Sequence, residues 1–147
     1  MALLDLSATK ETGIQGNLNL ILDRLTELGA KRLVIDSFSA LTMALKEPTD
    51  VRFLIHLLYR FLQQIGCTTI IISDVPWSSQ RIGSGVEEFI ADGIVLLLSH
   101  YDEQGRLRRT CSILKMRCTN HCKMTHEYEI TDLGIQIFPR NNFESKK

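Results

Sequence analysis

The sequence predicts an α/β protein with a parallel sheet, and three observations lead to that prediction. Two short apolar runs, "RLVIDS" and "TTIIISD", each end in a carboxylate and are typical of strands buried on both faces of a parallel sheet. A helical pattern lies between them, so strand, helix and strand follow one another within about forty residues. This order is a βαβ unit, which places its two strands in one sheet with a right-handed crossover.

The remaining elements follow from the spacing of apolar residues. Leucines at helical spacing predict a first helix, Gln15–Leu28, which Gly29 ends. The helix between the two strands is predicted at Val51–Ile65, and a short helix is expected at 87–91. The run "DGIVLLLSHY", the turn "DEQG" and a strand at Leu107–Lys115 predict a β-hairpin, and "HEYEIT" and "IQIFP" around "DLG" predict a second one.

Length and composition suit one compact domain, which we expect to span 1–139 and to be followed by a polar tail at 140–147. Seventeen basic residues balance seventeen acidic ones, so no global field favours nucleic acid or an anionic membrane. The chain begins without a leader pattern, and its apolar runs are too short to span a bilayer. We therefore expect a cytoplasmic protein with no membrane contact, whose four cysteines are reduced.

Asp36 and Ser37 stand at the C-terminal end of the first predicted strand, which is the edge where open α/β sheets bind ligands. A carboxylate followed by a hydroxyl suits a magnesium ion in a nucleotide site. The alternative is that Asp36 only caps the following turn. Asp74 ends the second strand in the same way, and for it a turn-forming role is the stronger interpretation. Spacing alone leaves both interpretations open.

The stretch "KMRCTNH" follows the strand that begins at Leu107. Simple alternation puts Lys115 and Arg117 on one face, and two cations about 7 Å apart, followed by Thr119 and His121, would bind polyphosphate oxygens. The same face would then carry Leu107, Arg109, Cys111 and Ile113. The alternative is a solvated edge strand whose charges discourage aggregation.

Four potential zinc ligands lie within nine residues of this region, namely Cys118, His121, Cys122 and His126. Their spacing matches no compact zinc site. The favoured interpretation is therefore a set of small polar residues in and beside a turn.

In order along the chain, these segments resemble the second half of a KaiC-type ATPase domain of the RecA superfamily. The resemblance runs from about Gly29 to Pro139, and its most specific stretches are "GVEEF.ADG", "KMR.T.H" and "EIT..GI.IFP". It implies a RecA-like, mostly parallel sheet flanked by helices, with antiparallel hairpins at the C-terminal end. It also implies a ring oligomer in which ATP and Mg²⁺ lie between neighbouring subunits.

The resemblance also assigns roles to individual residues. Asp36 would be the Walker B carboxylate that holds the metal, with Ser37 beside it in the nucleotide site. Lys115 and Arg117 would reach across the interface to the neighbour's ATP, with Arg117 as the catalytic cation. The residues near the base and ribose would be Met116, Thr119, His121, Thr131 and Asp132.

The sequence departs from the family pattern in two places. Cys118 stands where the family has glycine, so the turn after Arg117 is expected to need a different backbone. The chain also contains no G-x-x-x-x-G-K-[ST] loop to cradle phosphates, and the family's paired glutamates are missing too. If a longer reading frame carries that loop, these residues are the second half of a full ATPase.

Without the phosphate loop, the resemblance implies that the chain contributes Walker B and trans contacts but does not hydrolyse ATP alone. Its partner would be itself or a relative that bears the loop. Another candidate function is a non-catalytic pseudo-ATPase module that docks a signalling or recombination partner. DNA binding is a third, and both the neutral charge and the lack of an aromatic-rich loop argue against it.

Overall fold

The computed structural model describes residues 1–5, 13–42, 47–74 and 90–139. The chain divides into two compact units, Met1–Ile90 and Ala91–Lys147. The tail expected at 140–147 lies outside the described residues, as does most of the short helix expected at 87–91, of which Ile90 is described and helical. In chain order the elements are α1 (Gly13–Leu28), β1 (Arg32–Ile35), α2 (Phe38–Thr42), α3 (Pro48–Ile65), β2 (Thr68–Ile71), β3 (Gly93–Tyr101), β4 (Leu107–Met116), β5 (His126–Thr131) and β6 (Gly134–Phe138).

The first unit contains the βαβ arrangement predicted from the sequence. Strands β1 and β2 pair in parallel, with Arg32 opposite Thr68 and Ile35 opposite Ile71. The ladder continues past both strands, because the Ile72 N–H donates to the Ile35 carbonyl at 2.9 Å. The chain that follows β1 is therefore held beside the chain that follows β2.

Helix α3 begins three residues earlier than the sequence predicts and ends where expected. Pro48 lies in its first turn, where the missing N–H of proline costs nothing because first-turn N–H groups have no partner inside the helix. Gly66 ends it in the left-handed region at φ 62°, and its N–H donates to the Gln63 carbonyl at 3.2 Å.

A hydrophobic core fills one side of this unit. Its buried members come from α1, β1, α2 and α3, with Ile90 added, and Leu18, Phe38 and Leu58 are the most deeply enclosed. On the parallel pair, Ile35 is buried, whereas the cross-strand partners Val34 and Ile70 are each 60% exposed. The prediction that both strands are buried on both faces was therefore wrong, because the helical core covers one face only.

The second unit is a four-stranded antiparallel sheet in the order β3-β4-β5-β6, so both predicted hairpins are confirmed. Asp102 organises the turn between β3 and β4. Its pKa is lowered to about 2, chiefly because the backbone N–H of Arg106 donates to its carboxylate, and because the Arg108 side chain and the Gln104 N–H also donate to it.

A β-bulge interrupts the pairing of β3 with β4 near the end that carries the basic residues. Ile94 lies opposite Lys115, but the next residue, Val95, lies opposite Ile113, so Leu114 is the extra residue. Side chains directly opposite each other in antiparallel strands share a face. Lys115 therefore leaves the face that carries Ile113, and the simple alternation predicted for the whole strand was wrong beyond Leu114.

Candidate functional site

The carboxyl ends of β1 and β2 bring four polar residues together, and we call Asp36, Ser37, Ser39 and Asp74 the strand-end cluster. The Ser37 hydroxyl donates to Asp74 Oδ2 at 3.5 Å and accepts the Ala40 N–H at 3.3 Å. The Asp74 N–H donates to Ser39 Oγ at 2.9 Å. These contacts join the two strand ends by side chains as well as by the ladder, which gives Asp74 a place in the cluster. The turn expected after Asp74 falls at residues outside the described ranges.

The cluster offers the oxygen ligands that Mg²⁺ prefers, with Asp36 exposed at its edge. Nowhere in the described ranges do three or more His, Cys, Asp or Glu side chains converge as a ready-made metal site. Mg²⁺ keeps several waters and commonly combines one or two carboxylates with substrate phosphates. The donor set therefore fits a magnesium ion that arrives with a polyphosphate, for which Asp36 would be the carboxylate ligand.

The second unit presents the predicted cations at the end of β4. Met116 is the last residue of the strand, and Arg117 follows it with its N–H donating to the Asp92 carbonyl at 2.7 Å. This bond continues the β3–β4 ladder by one residue, so Lys115 and Arg117 still project to one side of the hairpin. The side on which they project is the one opposite Ile113.

Asp92 is a charged neighbour of Arg117 that the sequence analysis missed. Its Oδ1 lies 3.0 Å from Nη1 of Arg117, and both side chains are exposed. The signal was present in principle, because an acid directly before β3 must lie beside the end of an antiparallel β4. The pair orients the Arg117 guanidinium at the open end of the hairpin.

The connection from β4 to β5, residues 117–125, carries Cys118, Thr119 and His121. Cys118 adopts φ 56°, in the left-handed region that glycine favours. A cysteine at the family's glycine position thus occupies the backbone region that suits glycine. Beyond it, Thr119 is exposed, and His121 Nδ1 lies 3.4 Å from the Thr119 carbonyl oxygen.

Replacing Cys118 by glycine is expected to stabilise the protein by about 0.5–1 kcal/mol. A left-handed residue with a Cβ costs roughly 1–2 kcal/mol, and the greater freedom of glycine in the unfolded chain returns roughly 0.5–1 kcal/mol of that. Urea denaturation followed by circular dichroism measures the difference. Cys118→Ala is the control, since it removes the thiol and keeps the Cβ. A glycine variant no more stable than the alanine variant would refute the strain argument.

The remaining two residues assigned by resemblance lie in the turn between β5 and β6. The Thr131 hydroxyl donates to the Gly134 carbonyl at 3.1 Å and accepts the Leu133 N–H at 3.2 Å. Asp132 is exposed at the tip of this turn. Thr131 therefore has a clear structural role, while nucleotide contact by either residue stays a prediction.

The candidate residues thus form two groups, each within its own unit. The strand-end cluster belongs to Met1–Ile90, and the cations, Met116, Thr119, His121 and the β5–β6 turn belong to Ala91–Lys147. The first unit has parallel strands with polar residues at their carboxyl ends. This arrangement is typical of open-sheet α/β proteins, which bind ligands at the carboxyl ends of their strands.

The chain belongs to the KaiC ATPase family. The family model described as "ATPase: KaiC" matches residues 4–142. A solved structure of a KaiC-like protein from Pyrococcus horikoshii is similar to this chain with a TM-score of 0.73 and 33% identity, covering 86% of this chain and 54% of that one. The fold is accordingly of the RecA type.

Curated relatives agree with this assignment. A UPF0273 protein of Thermotoga maritima is 38% identical over 121 residues, which are 82% of this chain and 48% of the relative. The circadian clock oscillator protein KaiC of Acaryochloris marina is 39% identical over 116 residues, which are 78% of this chain and 22% of that protein. The chain thus spans about half the length, or less, of these relatives.

Membership of an ATPase family implies ATP and Mg²⁺ as ligands of the family in general. Among the helices in the described part of the chain, none is both long and apolar enough to cross a bilayer.

Proposed function

We propose that this chain supplies part of a KaiC-like ATP site within an oligomer. Asp36 acts as the Walker B carboxylate that holds Mg²⁺, and Lys115 and Arg117 contact ATP bound by a neighbouring subunit. The loop that cradles the phosphates comes from outside these 147 residues, whose sequence contains no Gly-Lys pair. The observation that supports the proposal is that Lys115, which is partly buried, and Arg117, which is exposed, lie on one side of the end of β4.

The Arg117 guanidinium can exchange its contact with Asp92 for a contact with phosphate. An exposed ion pair contributes roughly 0–1 kcal/mol, because water and salt screen it. A charge-assisted hydrogen bond to phosphate contributes roughly 1.5–3 kcal/mol. A polyphosphate presented by a neighbour therefore competes well with Asp92 for the guanidinium, and Lys115 adds a second positive charge.

The strand-end cluster supplies the metal side of the same chemistry in the chain's own site. Asp36 would hold the ion, and the bond from the Ile72 N–H to the Ile35 carbonyl at 2.9 Å holds the backbone beside it. A magnesium ion bound there would neutralise charge on the phosphates, and the residues of this chain would position it.

The parallel pair also supports association with another chain. Within the described ranges this sheet has two strands, and a sheet of two strands is marginal, with edge N–H and C=O groups that can pair with another chain. One face moreover exposes Val34 and Ile70. We therefore propose that a second copy or a loop-bearing relative covers this surface in a ring.

Nucleotide titration tests the proposed function. The isolated chain should show no measurable ATP hydrolysis, and its addition should raise the hydrolysis rate of a KaiC-like relative that bears the phosphate loop. A robust ATPase rate of the isolated chain that survives repurification would contradict the proposal. So would a monodisperse monomer by light scattering at micromolar concentration, both alone and in the mixture.

The second candidate is a non-catalytic interaction module. Two observations favour it: Arg117 already pairs with Asp92, and the Thr131 hydroxyl already supports its own turn. In that case the Arg117–Asp92 pair only closes the end of the hairpin, and partner binding does not depend on nucleotide.

A further inference from the structure

The β5 end of the 117–125 connection holds a thiol and an imidazole in contact. Cys122 Sγ lies 3.3 Å from His126 Nε2, and the Met124 N–H donates to the same sulfur at 3.5 Å. Cys122 is exposed, whereas His126 is partly buried as the first residue of β5, opposite the buried Cys111. A base fixed on the sheet therefore faces an accessible nucleophile.

We propose that Cys122 is a site of oxidation by hydroperoxides, with His126 as its general base. Nε2 accepts the thiol proton while the sulfur attacks one peroxide oxygen. The S–O bond forms, the O–O bond breaks, and the proton passes to the departing oxygen, which leaves as water or an alcohol. The sulfur is oxidised by two electrons to a sulfenic acid, and the peroxide is reduced by the same two.

The other three cysteines lack this combination of exposure and base. Cys118 is exposed in the same connection but contacts no imidazole within the described ranges. Cys67 is partly buried, and its thiol lies 3.8 Å from the Thr68 carbonyl. Cys111 is buried. The chain therefore contains its own set of matched controls.

The sequence around Cys122 also favours this chemistry. Lys123 directly follows Cys122, and residues 117–126 contain Arg117 and Lys123 and no acidic residue. Reactive cysteines occur in exposed, electropositive surroundings of this kind, because positive charge stabilises negative charge on the sulfur and on the leaving oxygen.

The test exposes the reduced chain to hydrogen peroxide together with a cyclic 1,3-diketone that traps sulfenic acid, and peptide mass spectrometry follows each cysteine. We expect trapping at Cys122 to be at least about ten-fold faster than at Cys118. His126→Asn should lower the Cys122 rate to that of Cys118. Equal rates at the two cysteines in the parent chain, or an unchanged Cys122 rate in His126→Asn, would overturn the proposal.

Two internal controls keep the result interpretable. His121→Ala removes the other imidazole of the connection, which contacts the Thr119 carbonyl oxygen rather than a sulfur, and should leave the Cys122 rate unchanged. Cys111 reports on the sheet, since it stays unreactive while β4 and β5 are paired. If His126→Asn exposes Cys111, His126→Gln is tested in its place and is judged by the trapping rates at Cys122 and Cys118. The assay uses no nucleotide, so its outcome is independent of the proposed ATP site.

Discussion

Arg117→Ala is expected to lower the ATPase rate of a mixed assembly by on the order of 10³-fold, with little effect on the stability of the chain. A cation that enters a neighbour's site stabilises the negative charge that develops as the terminal phosphoryl group is transferred, and such residues contribute about 10³-fold or more. Its exposed pair with Asp92 contributes roughly 0–1 kcal/mol to folding. The measurement is the steady-state rate of ATP hydrolysis by the loop-bearing relative, with a saturating amount of either the parent chain or Arg117→Ala.

Arg106 provides a matched control for this experiment. Arg106 and Arg117 flank β4 at its two ends, roughly 35 Å apart along the strand. Each is exposed and each pairs with one carboxylate, Asp102 at 3.1 Å and Asp92 at 3.0 Å. Arg106→Ala should therefore leave the rate within about two-fold of the parent, because Arg106 lies at the opposite end of β4 from the proposed ATP contact. Equal losses in both variants would mean that general charge, and not position, matters.

Asp92→Asn separates the nucleotide contact from the structural alternative. If Arg117 serves ATP, loss of the carboxylate leaves the guanidinium able to bind phosphate, and hydrolysis persists. If the pair only closes the hairpin, Asp92→Asn reproduces whatever Arg117→Ala does. A strong rate loss in Arg117→Ala that Asp92→Asn matches would therefore contradict the trans contact and support the interaction module.

The fold was predictable where local patterns determine it. Helical spacing located α1, the βαβ order located the parallel pair, and turn residues such as those around Asp102 located the hairpins. The exposure of Val34 and Ile70 was not predictable in the same way. An apolar run shows that a strand can be buried, but it does not show whether another element covers each of its faces. The bulge at Leu114 carries no glycine or turn signal of its own, since it exists only in the register of β4 against β3.

The sequence predicted which residues are candidates for the site better than it predicted which of them are in contact. Asp36, Lys115 and Arg117 stand at strand ends, which sequence position alone indicates. The Asp92–Arg117 and Ser39–Asp74 contacts join residues 25 and 35 positions apart, and only the pairing of strands brings them together. The Cys122–His126 contact was noted in the sequence only as part of a possible zinc set, because spacing does not show which two of four side chains meet.

Phe38→Ala is expected to destabilise the first unit by about 3–5 kcal/mol. Phe38 is 1% exposed within the helical core and directly follows Asp36 and Ser37. Removing a buried phenyl ring loses its transfer free energy and leaves a cavity that the surrounding residues fill only in part. Since domains of this size are stable by only about 5–15 kcal/mol, the variant should unfold at a much lower urea concentration.

Phe53 on α3 offers the same chemical change without the burial, because its side chain is 68% exposed. Phe53→Ala should shift the free energy of unfolding by no more than about 0.5 kcal/mol. The difference between the two variants isolates the packing contribution of Phe38 from any general effect of losing an aromatic ring. Similar losses at both positions would mean that Phe38 is not enclosed. The backbone that carries Asp36 and Ser37 would then lack the buried anchor that positions the strand-end cluster.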